Sequence, residues 1–274
     1  MTKERIDKLV VDRGLAESRS RAQAMILAGQ VLIGTERVDK PGRMVSSDSE
    51  IRIKGEALRY VSRGGLKLEA ALGEFKVDPA GKACIDVGAS TGGFTDCLLK
   101  HGAARVWSVD VGHNQLDWRI RSDPRVVAIE GVNARNLSPG RFPVRFDLAV
   151  IDVSFISLTK IIPAVRGVIT DTADIIALVK PQFEVGKGEV GRGGVVTDPA
   201  KHLRVLREVI RSARSEGFSV INVMASPILG AEGNREFLLH LSQVSRRALS
   251  DDGVEELIVS LSGESEHQRK SQLT

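Results

Sequence analysis

Cysteine is scarce in this sequence, and the two that occur, Cys84 and Cys97, are too few for a disulfide framework or a zinc site. Cys84 falls in a predicted strand and Cys97 on the helix that follows, so we expect both to be small buried hydrophobes. The histidines lack the spacing of metal ligands; they are His101, His113, His202, His240 and His267. The sequence therefore predicts no metal site.

A membrane-spanning run of about 18 apolar residues is also missing, and no basic segment followed by an apolar one opens the chain. These absences predict no membrane span and no secretion signal, and we expect the protein to be cytoplasmic. The chain has 274 residues, of which 42% are hydrophobic and 27% charged. A chain of this length is long enough for one large globular domain and one small one.

The positive charge is concentrated at one end of the chain. Residues 1–67 contain 14 Lys and Arg against 9 Asp and Glu, a net of +5, so the total of +4 leaves the other 207 residues at −1. A basic module ahead of a nearly neutral domain suits an enzyme that acts on a polyanion, because Lys and Arg neutralise phosphates. A merely solvated basic surface is the alternative that composition leaves open.

Within the basic module, apolar residues recur at helical spacing over Arg5–Arg13 and Arg19–Leu27, which predicts two short helices. Ser18 or Ser20 can cap the second helix and Gly29 can end it, and a small hairpin is predicted after it.

This pattern resembles the S4 RNA-binding domain over about residues 3–55, in the run Arg19–Ala22, in Gly29 and Val31, and in Lys40-Pro41. The resemblance implies docking on structured RNA by shape and phosphate contacts. The basic residues that we expect to contact RNA are Arg5, Arg19, Arg21, Lys40 and, just beyond the module, Arg63.

The boundaries that we predict are a first domain over residues 1–57, a linker over 58–62, a second domain over 63–261 and a tail over 262–274. The Ser-, Glu-, Gln- and Lys-rich tail is expected to be disordered. Residues 62–65 are expected to cap a helix that starts near Leu66.

Strands and helices alternate from residue 83 onward, which predicts an α/β domain with a parallel, doubly wound sheet. Ligands bind such sheets at the carboxyl ends of the strands. The predicted strands are 83–88, 104–110, 126–131, 146–152, 174–180, 218–225 and 236–243, and the predicted helices are 93–101, 114–121, 157–169 and 199–216.

A glycine-rich turn follows the first of these strands, over Asp86–Thr95. Gly88, Gly92 and Gly93 allow a sharp turn and a close approach of backbone N–H groups to a ligand at a helix N-terminus. The spacing is not that of a P-loop and only half meets the dinucleotide fingerprint. A tight turn that binds no ligand is the alternative.

A carboxylate follows the second strand, at Asp110, 24 residues after Asp86. There it can accept hydrogen bonds from the two hydroxyls of a ribose. Asp86, inside the glycine-rich motif, would lie near a cationic amino-acid group. Together they indicate an adenosyl ligand and favour S-adenosylmethionine over a pyrophosphate cofactor.

Four charged residues complete the predicted site: Lys67 on the first helix of the large domain, and Asp152, Lys180 and Glu236 at strand ends. Taken singly, Asp152 and Lys180 suit a structural ion pair equally well. Taken together, the four suit removal of a proton from a ribose 2′-hydroxyl that attacks a sulfonium methyl. A lysine acts as that base when a second cation and partial burial favour its neutral form. Whether Lys67 or Lys180 is the base stays open.

Four motifs resemble the TlyA family of ribosomal RNA 2′-O-methyltransferases: Asp86–Thr95, Val61–Gly64, Asp152–Leu158 and Val179–Gly188. The resemblance covers nearly the whole chain. It implies an S4 domain joined to an FtsJ-like, Rossmann-like methyltransferase domain that uses S-adenosylmethionine to methylate cytidine riboses in 16S or 23S ribosomal RNA, or in both. Tyr60 stands where the family often has tryptophan, which puts a coupling role of the linker in doubt.

The family's Lys-Asp-Lys-Glu tetrad matches Lys67, Asp152, Lys180 and Glu236, which are the expected catalytic residues. Phe155 is expected at the cofactor by resemblance, with core packing as an equal alternative, and Asn133 by its place after the third strand. The residues expected to bind the cofactor are Asp86, Gly88, Ser90, Thr91, Gly92, Gly93, Phe94, Asp110, Asn133, Asp152 and Phe155.

Three other functions remain as hypotheses: an RNA-binding ribosome assembly factor with an inactive methyltransferase fold, a haemolysin-like membrane-active protein, and an NAD-dependent oxidoreductase. The intact tetrad argues against the first, and the lack of a basic amphipathic face of sufficient length argues against the second. Residues 186–191 match the dinucleotide fingerprint formally, but no helix is predicted to open directly after them. We expect a loop there that closes over the substrate, with a passive surface loop as the alternative.

Overall fold

The computed structural model describes residues 3–34, 36–47, 49, 51–53, 59–186, 188–244 and 248–262. The chain divides into two compact units, Met1–Arg59 and Tyr60–Thr274. We describe each unit by itself, as the small unit and the large unit.

In the small unit, two helices pack on short strands. The strand β1 pairs antiparallel with β4, and β2 lies between β3 and β5 in a second antiparallel sheet. Buried Ile6, Val10, Ile26 and Val31 form the centre of its core. The elements are β1 (Lys3–Arg5), α1 (Ile6–Asp12), α2 (Arg19–Leu27), β2 (Val31–Ile33), β3 (Glu36–Arg37), β4 (Met44–Ser46) and β5 (Ile51–Ile53).

The predicted end points of α2 are confirmed by local geometry. The Ser18 hydroxyl accepts a hydrogen bond from the backbone N–H of Arg21, so Ser18 is the N-cap. Gly29 follows the helix with φ +67, and a Cβ there would lie 1.9 Å from the Arg37 side chain. Glycine at this position therefore permits both the left-handed turn and the contact.

In the described part of the large unit, strands form a seven-stranded sheet in the order β11-β12-β10-β9-β6-β7-β8. Helices cover both faces. The strands are β6 (Ala83–Val87), β7 (Arg105–Val109), β8 (Val126–Ile129), β9 (Phe146–Ile151), β10 (Ile169–Val179), β11 (Ser219–Ala225) and β12 (Phe237–Ser242), and the helices are α3 (Gly64–Phe75), α4 (Gly93–Lys100), α5 (Trp118–Arg121), α6 (Ile162–Arg166), α7 (Pro181–Glu184), α8 (Pro199–Ser215) and α9 (Asp251–Ser262).

The prediction of an entirely parallel sheet is wrong at one edge, because β12 runs antiparallel to both β10 and β11. Eleven residues join β11 to β12, with a 3₁₀ turn at Ala231–Gly233. A parallel connection needs about a dozen residues or more and usually a helix, so this shorter link returns the chain in the opposite direction. Glu236, predicted as the first residue of this strand, directly precedes it.

Several predicted helices begin or end elsewhere. The helix α3 begins at Gly64 and no side chain caps it, where a cap before Leu66 was expected. The helix predicted over 114–121 is confined to α5, where the Asp117 carboxylate caps the helix by accepting a hydrogen bond from the Arg119 N–H. The helix predicted over 157–169 is a 3₁₀ turn followed by α6, because Pro163 lacks an N–H and fits only the first turn of a helix.

The helix α9 was not predicted, and Ser262, the first residue of the predicted tail, is its last residue. The rest of that tail lies outside the described residues. As expected, no α-helix opens directly after residues 186–191: a 3₁₀ turn follows at Arg192–Gly194 and the next α-helix is α8, from Pro199, although Lys187 is not described. Among the described residues, no helix combines the length and the apolar character needed to cross a bilayer.

The strand β6 leads into the glycine-rich turn, and its side chains alternate between the two cores on either face of the sheet. Ile85 and Val87 face the core formed with α6, α8 and α9, whereas Cys84 faces the core formed with α3 and α4. Cys84 and Cys97 are both free and buried, as predicted.

Candidate active site

The glycine-rich turn brings two loops into close contact at the carboxyl edge of the sheet. Gly88 has φ +90, and a Cβ there would lie 2.4 Å from the carbonyl oxygen of Asp152. The N–H groups of Gly88 and Ala89 both donate to the carbonyl of Val109, at 2.8 and 3.2 Å. Any side chain larger than glycine at position 88 would therefore separate the loops that follow β6 and β9.

The start of α4 is packed against the segment that precedes α3. A Cβ on Gly93 would lie 2.1 Å from the Ser62 hydroxyl oxygen, and one on Gly65 would lie 2.2 Å from the Tyr60 ring. The Val61 N–H donates to the Asp96 carboxylate at 2.8 Å. Gly93 thus makes room for Ser62, a contact that its predicted role at the cofactor did not include.

Asp110 is held by the backbone at the end of β7. One carboxylate oxygen accepts from Ser90 N–H at 2.8 Å and the other from Gly112 N–H at 2.7 Å. Each oxygen keeps a second lone pair for a ligand hydroxyl. Asp110 borders a cavity of about 320 Å³, the adenosyl cavity, which is lined by Gly88, Ser90, Val109, Asp110, Val111, Val132, Asn133, Ala134, Arg135, Asp152, Val153, Ser154, Phe155, Ile156 and Ile161.

Two of the predicted cofactor residues, Asn133 and Phe155, line the adenosyl cavity. Asn133 precedes a 3₁₀ turn and accepts from Arg135 N–H at 3.1 Å, so its side chain is fixed locally. Phe155 is 90% exposed and has φ +62, which is uncommon for a large side chain. Its ring packs against Phe183 with centroids 4.8 Å apart. Phe155 therefore belongs to the rim of the cavity and not to the core.

Asp86 does not reach the surface of the site. It is 0% exposed, and its carboxylate accepts from the Thr95 hydroxyl at 2.7 Å, which in turn contacts the Ser108 hydroxyl at 2.8 Å. Burial raises the pKa of Asp86 to about 7. The structure thus places Asp86 beneath the glycine-rich turn, where it anchors the first turn of α4.

A second cavity, the catalytic cavity, adjoins the first one and has a volume of about 240 Å³. It is lined by Thr91, Gly93 and Phe94 of the glycine-rich turn, but not by Gly92, and by Arg63, whose guanidinium donates to the Leu229 carbonyl at 3.1 Å. Its lining residues are Ser62, Arg63, Gly64, Lys67, Gly88, Ala89, Ser90, Thr91, Gly93, Phe94, Asp152, Ile228, Leu229 and Gly230. Gly92 is the N-cap of α4, with φ +93.

The four predicted catalytic residues form two ion pairs. The Lys180 ammonium lies 2.5 Å from the Asp152 carboxylate, and it also donates to the Ser154 hydroxyl at 2.9 Å. The Lys67 ammonium is bonded to the Glu236 carboxylate, and both of these residues are buried. Each lysine therefore has its own counter-ion.

Two residues that we did not predict hold the loops of the site. The Glu184 carboxylate on α7 accepts from the Ser157 hydroxyl at 2.6 Å and from Leu158 N–H at 2.8 Å, and burial raises its pKa. The Asn234 side chain accepts from Val196 N–H at 3.0 Å and donates to the Gly194 carbonyl at 2.9 Å. Glu184 and Ser157 lie within two of the quoted motifs, which was the available signal. No signal in the sequence pointed to Asn234.

Comparisons with known proteins agree with this geometry. A family model described as FtsJ-like methyltransferase matches residues 60–243, and a model of the S4 domain matches residues 4–51. The 16S/23S rRNA (cytidine-2'-O)-methyltransferase TlyA of Mycobacterium tuberculosis is 48% identical over 255 residues, which cover 93% of this chain and 95% of that protein. The chain belongs to the TlyA family of FtsJ-like methyltransferases.

Other members of the TlyA family carry a different name. Hemolysin A of Brachyspira hyodysenteriae is 43% identical over 237 residues, which cover 86% of this chain and 98% of that protein. A solved structure named as a hemolysin, from Streptococcus thermophilus, has a TM-score of 0.73 at 44% identity and covers 98% of this chain and 99% of that chain. The predicted family and the predicted fold class, an S4 domain with a Rossmann-like methyltransferase domain, are confirmed.

Proposed function

We propose that this protein transfers a methyl group from S-adenosylmethionine to the ribose 2′-oxygen of a cytidine in ribosomal RNA. The observation that carries the proposal is the position of Asp152, which borders both cavities and forms the ion pair with Lys180. A methyl donor in one cavity and a nucleotide in the other would meet beside this pair. The name of the Mycobacterium tuberculosis relative supports the choice of substrate.

The residues of the adenosyl cavity fit the cofactor. The free lone pairs of Asp110 suit the two ribose hydroxyls, and the loop crossing at Gly88 leaves backbone near the ligand without a side chain between them. Apolar Val132 and Ile156 line the same cavity and suit an adenine ring. When bound, S-adenosylmethionine supplies a methyl group on a positively charged sulfur.

The Lys180–Asp152 pair can remove the proton of the 2′-hydroxyl. The Asp152 carboxylate is the proton acceptor for the Lys180 ammonium in this partly buried pair, since the two groups are 2.5 Å apart. The neutral Lys180 amine would then accept the hydroxyl proton, which would make the 2′-oxygen the nucleophile for the methyl group that bound S-adenosylmethionine would supply. General-base catalysis of this kind contributes about 100- to 10,000-fold in rate.

The Lys67–Glu236 pair positions the nucleotide. Both side chains are more buried than the Asp152 carboxylate, and Gly230 leaves room for Glu236, since a Cβ there would lie 2.1 Å from its carboxylate. A buried pair with fixed geometry holds the 2′-oxygen in line with the methyl group, and alignment supplies much of the acceleration in such reactions.

The test is to incubate the purified protein with radiolabelled S-adenosylmethionine and isolated small or large ribosomal subunits. We expect label at a ribose, identified by its resistance to alkaline cleavage, and at least about 100-fold slower labelling by Lys180→Ala. Lys160→Ala, which removes an exposed lysine on a nearby 3₁₀ turn, is the matched control and should label normally.

The outcome that contradicts the proposal is equally defined. If calorimetry detected cofactor binding but neither subunit nor free ribosomal RNA took up label, the enzymatic function would be wrong. An RNA-binding assembly factor would then be the better description.

A further inference from the structure

A fully buried carboxylate in the small unit contacts two exposed arginines. Asp7 on α1 is 0% exposed. It accepts from Arg5 Nε at 3.0 Å and Nη2 at 2.8 Å, from Arg19 Nε at 3.1 Å and from Gln23 Nε2 at 2.8 Å. The two arginine side chains are 45% and 56% exposed. Asp7 therefore fixes one edge of each guanidinium and leaves the other edge in solvent.

The backbone brings a third cation into the same neighbourhood. The Asp7 N–H donates to the Pro41 carbonyl at 3.2 Å, and a Cβ on Gly42 would lie 3.2 Å from Arg5 Nη1. Exposed Lys40 immediately precedes this turn. Two of the predicted RNA-binding residues, Arg5 and Arg19, thus contact one buried carboxylate, and a third, Lys40, adjoins the turn that bonds to the backbone of Asp7.

The donors that remain suit a phosphate. Arg19 uses Nε on Asp7 and keeps both terminal nitrogens, while Arg5 keeps Nη1, so each guanidinium still presents N–H groups outward. Two arginines and one aspartate leave a net charge of +1 at the cluster. An unrestrained arginine loses rotamer freedom when it is fixed on a ligand, and Asp7 has already imposed part of that ordering.

We propose that Asp7 is a positioning residue which holds Arg5 and Arg19 in the orientation that binds the phosphate backbone of structured RNA. This inference rests on the proposed function, because it assumes that ribosomal RNA is the ligand. Asp7 itself carries the same charge as the RNA. Its removal therefore separates the two effects: long-range electrostatics predicts tighter binding without Asp7, whereas positioning predicts weaker binding.

The test is the dissociation constant of the full-length chain for isolated small and large ribosomal subunits, measured by filter binding at several salt concentrations. We expect Asp7→Asn to weaken binding about tenfold and to lower the salt slope by about one phosphate contact. Glu36→Gln is the matched control, since Glu36 pairs with Arg43 on the surface and its loss also adds one positive charge. That variant should bind equally well or slightly more tightly.

Variants that keep the charge test the same point without changing a buried residue. Arg5→Lys cannot make the two contacts with Asp7, so it should weaken binding several-fold. Lys8→Arg, at a lysine that is 60% exposed and pairs with Glu4 and Asp12, should change binding less than twofold. A third comparison removes both arginines. In a chain in which Arg5 and Arg19 are both replaced by methionine, Asp7→Asn should have little further effect on the dissociation constant.

The outcomes separate this inference from the proposed function. If the wild-type chain bound neither subunit, the proposed function and this inference would both be wrong. If the wild type bound and Asp7→Asn bound as tightly or more tightly, Asp7 would have no positioning role and the proposed function would stand. Equal losses from Arg5→Lys and Lys8→Arg, or an undiminished Asp7→Asn effect in the methionine background, would overturn the inference too.

Discussion

Each unit of this protein contains an aspartate with no solvent exposure, Asp7 in the small unit and Asp86 in the large unit. Asp7 receives hydrogen bonds from two arginines and a glutamine, and the Arg5 guanidinium holds its pKa well below the usual value. Asp86 receives one from the Thr95 hydroxyl, and burial raises its pKa to about 7. The pKa values of the two aspartates therefore shift in opposite directions, although neither side chain is exposed to solvent.

The difference shows that the arginine contacts outweigh burial at Asp7, whereas burial outweighs the hydroxyl hydrogen bond at Asp86. In the small unit, the carboxylate stays ionised and holds cations at the surface. In the large unit, the carboxyl group gains and loses its proton near neutral pH beneath the turn that forms the cavity. Three substitutions test this comparison.

The largest effect should come from Asp7→Ala. It leaves the Gln23 amide and one edge of two guanidinium groups without an acceptor, which we expect to cost about 3 kcal/mol of unfolding free energy at pH 7. Because the folded-state pKa of Asp7 is depressed, its contribution is present above pH 4 and disappears as the pH falls through the folded-state value. Hydrogen exchange of amides in residues 3–53 measures this loss.

Asp12→Ala is the control for that experiment. The Asp12 carboxylate is about half exposed and lies 3.9 Å from the Lys8 ammonium, so its loss should cost less than about 0.5 kcal/mol. Equal effects of the two substitutions would contradict the assignment of Asp7 as an ionised, fully paired group.

A smaller effect of opposite sign should come from Asp86→Asn. Because the folded-state pKa of Asp86 is raised, wild-type stability from this group is present below pH 4 and is lost as the pH rises through about 7. Asparagine cannot ionise and can still accept from Thr95. The variant should therefore equal the wild type at low pH and exceed it by about 2 kcal/mol at pH 8, by urea denaturation.

Asp171→Asn serves as the control, because Asp171 is 86% exposed. It should shift stability by only a few tenths of a kcal/mol between the two pH values. A wild-type protein whose stability rose from pH 5 to pH 8 relative to Asp86→Asn would refute the raised pKa.

The smallest effect should come from Thr95→Val. The hydroxyl stabilises the ionised form of Asp86, so its removal should raise the pKa of Asp86 further and cost about 1 kcal/mol of stability. The pKa can be followed by carbon NMR of the carboxyl group. Thr95→Ser, which keeps the hydroxyl, should leave both quantities nearly unchanged, and a shift of similar size in the two variants would exclude the hydrogen bond as the cause.

Asp7 could have been found from the sequence, whereas the location of Asp86 could not. Asp7 stands three residues before Val10, on the apolar face of a predicted helix, where a charged residue needs partners. Asp86 belongs to a motif that predicts a ligand site, and its alternation with Ile85 and Val87 indicates only that it faces the other side of the sheet. Whether that side leads to a cavity or to the core depends on α3 and α4.

The strands from 83 to 151, the glycine-rich turn and the acidic residue after β7 were accessible from the sequence because each depends on residues close together in the chain. Helix caps such as Ser18 are local for the same reason. The direction of β12 was less accessible, since it depends on how an eleven-residue connection folds back on the sheet.

The sequence by itself determined the two-part organisation, the basic charge of the first part and the four charged residues of the candidate site. Only the tertiary structure decided how those four residues pair. Lys67 and Glu236 are separated by 169 positions and meet because α3 packs on the face of the sheet that includes Leu238 of β12. Lys180 meets Asp152 because the parallel strands β9 and β10 end at the same edge. Local patterns specify elements, but contacts between distant residues depend on the order in which those elements pack.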